Sequence, residues 1–304
     1  MSTNTTAERN VLVLGGTGFL GRHVCEKLQR AGWRITVPTR RAINAKSVQH
    51  LPSLTVVQAD VHGEAALARL LPGHAAVINL VAILHGNEAA FERTHVALPT
   101  KLANACLASG VRRLVHVSAL GVASDSPARY QRSKARGEQV LRNADLDLTV
   151  LRPSVIFGAG DRFLNLFAQL QKLFPVVPLA GAKAKFQPVW VEDVAQAVVS
   201  SLQQPQSVGQ TIECVGPNVL TLADLVRIAG RYGSRQRAIL PLPNALGQLQ
   251  AMLMELAPGE PLMSRDNLAA MSVDNVASGQ LPGMEALGIR PASIHSVAPT
   301  YLHA

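Results

Sequence analysis

The chain has 304 residues, of which 48% are hydrophobic, 16% charged and 4% aromatic, and it carries a formal net charge of +9. That length accommodates one large α/β domain with a smaller appendage, and the composition excludes a disordered or fibrous polymer. The lysines and arginines are dispersed without interleaved aromatics, so the positive charge reads as a solvated surface with a few cations holding phosphate, and no nucleic-acid partner is expected.

The opening MSTNTTAERN is polar and runs straight into a strand, without the apolar core of a secretory signal. No window reaches the roughly 18–20 apolar residues of a membrane span, and a cytoplasmic location is expected. Seven short aliphatic runs follow: NVLVLG (10–15), RITVPT (34–39), LTVVQAD (54–60), AAVINLV (75–81), RRLVHVS (112–118), LDLTVLRP (146–153) and QTIECVG (210–216). Between them lie GRHVCEKLQRAG, EAALARLL, THVALPTKLANACLASG and SKARGEQVLRN with helical spacing, two of them closed by glycine. Unbroken apolar strands alternating with helices predict a parallel sheet covered on both faces. Cys25, Cys106 and Cys214 stand far apart, with no spacing that suggests a metal site or a disulfide framework.

The first strand opens into VLVLGGTGFLGRHV (11–24). Gly15, Gly18 and Gly21 satisfy GxxGxxG, and Gly16, Gly18 and Gly21 satisfy GxGxxG, directly after a strand and at the start of a helix. Such glycines let the chain turn tightly and approach a pyrophosphate, whose charge meets the N–H groups of the helix start. The second strand ends in Pro38-Thr39-Arg40-Arg41, where a carboxylate for a ribose 2′-hydroxyl would be expected. Two guanidinium groups there favour a 2′-phosphate, hence NADP(H), with NAD(H) also admissible. Asp60, at the end of the third strand, either binds the adenine edge or caps the following turn.

Tyr130-Gln-Arg-Ser-Lys134 follows the fifth strand, and in a helix it sets Tyr130 and Lys134 one turn apart on one face. A nearby ammonium would favour phenolate, so the pair can shuttle a proton to or from a carbonyl or alcohol. Lys134 could also hold ribose hydroxyls, and Ser118 could donate to the substrate oxygen. His85 and His95, after the fourth strand, are assigned no catalytic role. Beyond Gly158 comes the amphipathic DRFLNLFAQLQKLF, then a Pro- and Gly-rich passage to about Gln187. From Thr221 onward short helices are broken by proline, as in LPLPNALG and LAPGEPL. Core packing is the expected role of the Leu- and Met-rich NALGQLQAMLMELA, with a membrane or partner face as its alternative.

GGTGFLG, ADV, NLVAIL, VHVSALG, YxxxK, LRPSVIFG and PVWVEDVAQA together resemble the short-chain dehydrogenase/reductase superfamily, in its extended or atypical branch, over roughly residues 10–215. More narrowly, YQRSKARGE, RPSVIFGAGDRFLNLFAQL, FQPVWVEDVA and PLMSRDNLAAMSVDNV resemble bacterial relatives of the nucleotide-binding accessory subunit of respiratory complex I. The resemblance implies that Gly15, Gly16, Thr17, Gly18, Phe19, Leu20 and Gly21 hold the cofactor. It extends that role to Asp60, Val61, Leu80, Val81, Ala82, Lys134 and Pro153, with Arg40 and Arg41 at the ribose. It implies Tyr130, Lys134 and Ser118 as the catalytic group, and a link to quinone metabolism, respiratory assembly or a peripheral membrane position. Ala119 and Leu120 stand where the extended epimerases and dehydratases usually place further hydroxyls, which puts the third catalytic member in doubt. Arg152-Pro153 and Trp190-Val-Glu-Asp193 would shape the cleft floor, with Arg152 meeting an anionic substrate or an internal ion pair.

The expected fold is therefore a Rossmann-type doubly wound parallel sheet in order 3-2-1-4-5-6-7. Residues 1–158 and 188–216 would form it, and 159–187 and 217–304 a small discontinuous C-terminal subdomain. Three functions fit: an NADP(H)-dependent oxidoreductase, a non-catalytic cofactor-stabilised accessory protein and, less well, a nucleotide-sugar epimerase or dehydratase.

Overall fold

Seven strands form one sheet: β1 (Asn10–Leu14), β2 (Arg34–Thr39), β3 (Leu54–Gln58), β4 (Ala76–Asn79), β5 (Arg113–Val117), β6 (Asp147–Pro153) and β7 (Thr211–Cys214). This is a computed structural model, and it describes residues 9–233, 235–256, 261 and 263–302. The expectations on residues 1–8 and on most of LAPGEPL lie outside the described residues. The sheet runs β3-β2-β1-β4-β5-β6-β7, the order that the family resemblance implies, and the pairings from β3 through β6 are parallel. The order reverses beside β1, and in open α/β sheets ligands collect beyond the strand ends at such a switch point.

The chain divides into two compact units. The first comprises the chain up to Ser118, Ser133–Leu151 and Ala195–Ile212. Its core sets Leu12, Leu14, Val77, Leu114 and Val150 of the sheet against Leu67, Leu98, Leu102 and Leu141 of helices. Burying each such side chain contributes about 1.5–3 kcal/mol. Helix Leu98–Ser109 ends on Gly110 at φ 74°, a left-handed cap that suits glycine. One turn of π-helix, Glu92–Ala97, precedes it, which the regular helical spacing of THVALPTKLANACLASG did not foretell.

The second unit comprises Ala119–Arg132, Arg152–Val194 and the chain from Glu213 onward. Helices Leu164–Leu173 and Leu222–Tyr232 bury Leu164, Phe167, Leu222, Leu225 and Ala229 in a second core. Thr221 and Asp224 form a reciprocal capping box at the start of the latter helix. Helix Asn244–Glu255 contradicts the core-packing expectation. Only Gly247 and Ala251 are buried in it, while Leu246, Leu249, Met252 and Leu253 are exposed. The helix approaches the unit through its small residues, since a Cβ on Gly247 would lie 2.8 Å from the Cβ of Ala180, and the large side chains therefore face away.

Candidate functional site

The glycines of the first βα turn have separable roles. Gly15 has φ +81°, and a Cβ there would meet the Leu80 and Val81 backbone at 3.1–3.2 Å. At Gly16 it would meet Val37 at 2.8 Å, and at Gly21 the Gly16 backbone at 2.6 Å. These three glycines are demanded by the fold's own packing. Gly18 is not: it is exposed, its backbone is extended, and a Cβ would have only the Gly15 carbonyl oxygen within 4 Å, at 3.3 Å. Helix Phe19–Arg30 begins there with no side-chain cap and no acidic residue in its first turn. Open space before a bare helix N-terminus fits a pyrophosphate. Thr17, Phe19 and Leu20 complete this turn, with the Arg22 guanidinium 5.5 Å above the Phe19 ring.

Arg40 and Arg41 follow β2 and are both exposed. Asp60 accepts the His62 N–H at 3.1 Å, so its carboxylate caps the turn while remaining exposed. Lys101 donates to the His62 carbonyl at 3.0 Å. Partial burial holds His62 below its usual range, with Arg93, Arg40 and Lys101 adding to the effect against Asp60. Arg93 and Lys101 thus bring further positive charge to the region of Arg40, which sequence reasoning missed because their helix is remote from β2 in the chain. Val61 is half-buried. Leu80 donates its N–H to the Leu14 carbonyl, and Val81 donates to the Asn79 side chain at 3.1 Å. Ala82 is exposed just beyond.

Ser118, immediately after β5, is 4% exposed, and its Oγ has no hydrogen-bond partner among the described residues. Leaving a buried hydroxyl unpaired costs about 1–3 kcal/mol, so the group fits a ligand oxygen. Lys134 is 2% exposed and donates to the Val117 carbonyl at 3.0 Å. Burial pulls its ammonium down to about 8, partly opposed by Glu138 one turn further on. Around it lie histidines that burial keeps neutral. His95, pushed down to about 3, accepts the Ile83 N–H on Nε2 and bonds Ser133 through Nδ1. His116, buried in β5 and held well below its ordinary value, pairs with Asn79 at 3.2 Å. Its only sequence signal is one polar residue inside each of two apolar strand runs. A Cβ at Gly137 would collide with the His95 carbonyl, so glycine lets the helix that carries Lys134 pack onto the π-turn.

Tyr130 opens helix Arg129–Asn143, one turn before Lys134. Burial pushes its phenol up to about 12. The shift comes from desolvation and runs opposite to the phenolate that a nearby ammonium would favour. Asp266 accepts the backbone N–H groups of Arg129 at 2.7 Å and Tyr130 at 3.0 Å, one on each carboxylate oxygen. Asn275 donates to the Leu120 carbonyl at 3.3 Å and accepts the Ser154 hydroxyl at 2.6 Å, while Leu120 donates to the Pro153 carbonyl at 2.8 Å. Pro153 is buried and Arg152 half-buried. The late segments SRDN and VDN thus hold both the Ala119–Leu120 segment and the start of the tyrosine helix. No local spacing could announce this, because the partners lie more than a hundred residues apart.

Residues 11–215 match the family described as NAD dependent epimerase/dehydratase. The chain is 34% identical over 295 residues to NADH dehydrogenase [ubiquinone] 1 alpha subcomplex subunit 9, mitochondrial, of Mus musculus, covering 93% of this chain and 76% of that protein. It is 32% identical over 246 residues to a ceramide reductase of Caulobacter vibrioides, covering 80% and 77% respectively. Among solved structures, the dTDP-glucose 4,6-dehydratase DesIV of Streptomyces venezuelae, with NAD and TYD bound, superposes with a TM-score of 0.75 at 21% identity, over 96% of this chain and 95% of that one.

Proposed function

The chain belongs to the NAD dependent epimerase/dehydratase family, and from that premise we propose that it is an NADP(H)-dependent oxidoreductase that reduces a carbonyl or quinone-linked substrate with Tyr130 as proton donor. The observation that carries this reading is Tyr130 placed one helical turn before the buried Lys134, in a chain that also leaves the Ser118 hydroxyl without a partner among the described residues. The open face of Gly18, the uncapped helix start and Ser118 fit a dinucleotide. Gly15 to Gly21 would hold the pyrophosphate and Arg40 and Arg41 the 2′-phosphate, with Asp60, Val61, Leu80, Val81, Ala82 and Pro153 around the remainder.

A bound nicotinamide would supply hydride exchange with the substrate carbon. Ser118 orients the substrate oxygen by donating a hydrogen bond. The Tyr130 O–H bond breaks as its proton passes to that oxygen, and Lys134 stabilises the phenolate that remains. A phenol held near 12 suits this direction, because it stays loaded with its proton at neutral pH. The likeness to a ceramide reductase supports the reductive reading.

A non-catalytic, cofactor-stabilised accessory role in a respiratory or quinone-linked complex is the second reading. It is supported by the likeness to the mouse subunit and by Ala119 and Leu120 in place of hydroxyl residues. Nucleotide-sugar epimerisation is weaker for the same residues. Single-turnover oxidation of bound NADPH by a panel of carbonyls and quinones separates them. Tyr130→Phe should retain NADPH affinity and lose about 10²–10⁴-fold in rate. Turnover that survives the substitution removes Tyr130 as proton donor, and failure of the whole panel favours the accessory role.

A further inference from the structure

The second unit carries an apolar surface that its own packing leaves bare. On helix Asn244–Glu255 the buried positions Gly247 and Ala251 mark one side, and Leu246, Leu249 and Leu253, with Leu256 just after, fall opposite them at helical spacing. Their exposures are 52%, 48%, 58% and 76%. The strand pair that leads into this helix continues the pattern. Ala238–Pro241 pairs in parallel with Val176–Leu179, with Ala238 opposite Val176 and Leu240 opposite Pro178. Those four residues are all exposed, whereas Val177 and Leu179, on the other face, are buried. Leu242 donates to the Leu179 carbonyl at 3.0 Å, which ties the strand pair to the helix start.

The charges on these elements are mostly of one sign, because the one carboxylate, Glu255 at the end of the helix, is paired with Arg265 at 2.9 Å. Residues 164–181 and 235–254 contain no Asp or Glu, and their only ionisable side chains are Lys172, Arg235 and Arg237. Lys172 and Arg235 are exposed, and the Arg235 guanidinium lies 3.5 Å from the Lys172 carbonyl oxygen. Arg237 is anchored by its Nε to the Gln171 carbonyl at 3.1 Å, so the two arginines are held where helix Leu164–Leu173 ends and the strand pair begins. Leucines on the outer face of a helix, with a surround that is basic apart from one paired carboxylate, have the chemistry of a segment that lies in a lipid interface. An anionic bilayer attracts each of Lys172, Arg235 and Arg237 and repels carboxylates, of which these elements carry only the paired Glu255.

We propose that this face, centred on Leu249 and Leu253, docks the protein peripherally on an anionic lipid bilayer, with Lys172, Arg235 and Arg237 meeting the headgroups. The proposal is independent of the chemistry assigned to Tyr130. Flotation of the full-length protein with vesicles tests it, using equal parts phosphatidylglycerol and phosphatidylcholine against phosphatidylcholine alone. The protein should float with the anionic vesicles at low salt and be released at high salt. L249E/L253E should lose at least ~10-fold in partitioning while keeping the thermal midpoint, since both side chains point outward. Lys172→Glu/Arg235→Glu, which leaves the apolar face intact, should weaken binding to anionic vesicles. No flotation with anionic vesicles overturns the proposal, and so does flotation that L249E/L253E leaves unchanged. A dimer in sedimentation velocity that L249E/L253E converts to monomers, with no vesicle binding by the unmodified protein, assigns the face to a second copy instead.

Discussion

Gly18 and Gly21 sit one turn apart and leave room for different things. A side chain at Gly21 would strike the backbone of Gly15 and Gly16, whereas one at Gly18 would meet only the Gly15 carbonyl oxygen, at 3.3 Å. Gly21→Val should therefore compromise folding itself, and Gly18→Val should give a folded protein that no longer binds NADPH. Circular dichroism with calorimetric titration distinguishes the two, and a Gly18→Val protein of unchanged affinity would remove the cradle assignment. The buried histidines make a second residue-scale prediction. In the folded chain His95 binds a proton only near pH 3, and His116 also titrates well below its ordinary value, whereas the unfolded chain protonates both near 6.5. Between those limits the unfolded state carries more protons, so stability rises with pH and is lost on acidification below about 6.5. Each histidine contributes a slope of at most about 1.4 kcal/mol per pH unit. Urea unfolding at a series of pH values should show this, and His95→Gln should flatten it.

The helix Arg129–Asn143 is the element on which the proposed chemistry turns, and its first two N–H groups are satisfied from Asp266. The carboxylate is 8% exposed, and Arg129 Nε lies 3.5 Å from one of its oxygens. Helix starts leave four N–H groups without intrahelical partners, and capping them by a negative group is favourable twice, through hydrogen bonds and through the helix dipole. Asp266→Ala should cost about 0.5–2 kcal/mol in urea denaturation. Asp266→Asn, which keeps one acceptor oxygen, should cost less. Equal stability of all three proteins would mean that solvent replaces the carboxylate at no loss. Position 130 itself was legible from YxxxK, because the helical repeat fixes which residues share a face. Its cap was not, because Asp266 reaches it through tertiary folding alone.

For the whole molecule, a ligand that binds only the folded chain raises its stability by mass action, about 2.7 kcal/mol at a hundredfold excess over Kd. NADPH should therefore raise the thermal midpoint more than NADH at equal concentration. Arg40→Ala should narrow that gap, because only the 2′-phosphate gains a charge-assisted contact there. Equal midpoint shifts with the two cofactors in the unmodified protein would refute the preference.

The strands, the helices between them and the glycine turn were legible in the amino-acid order, because they depend on periodicities of two and 3.6 residues and on backbone freedom that is written locally, while the strand order came from the family resemblance. Tertiary structure decided what burial and distance control. It set the burial that lowers His95 and His116 and raises the Tyr130 phenol, the positive charge that Arg93 and Lys101 bring near Arg40, and the support given by Asp266 and Asn275. It also decided which side of the Leu- and Met-rich helix is covered. An amphipathic pattern shows that a helix has two faces, and the small residues Gly247 and Ala251 turned out to be the ones that fit against Ala180. Composition favours burying leucine, but close packing is settled by the shape of the partner surface, which no stretch of sequence carries alone.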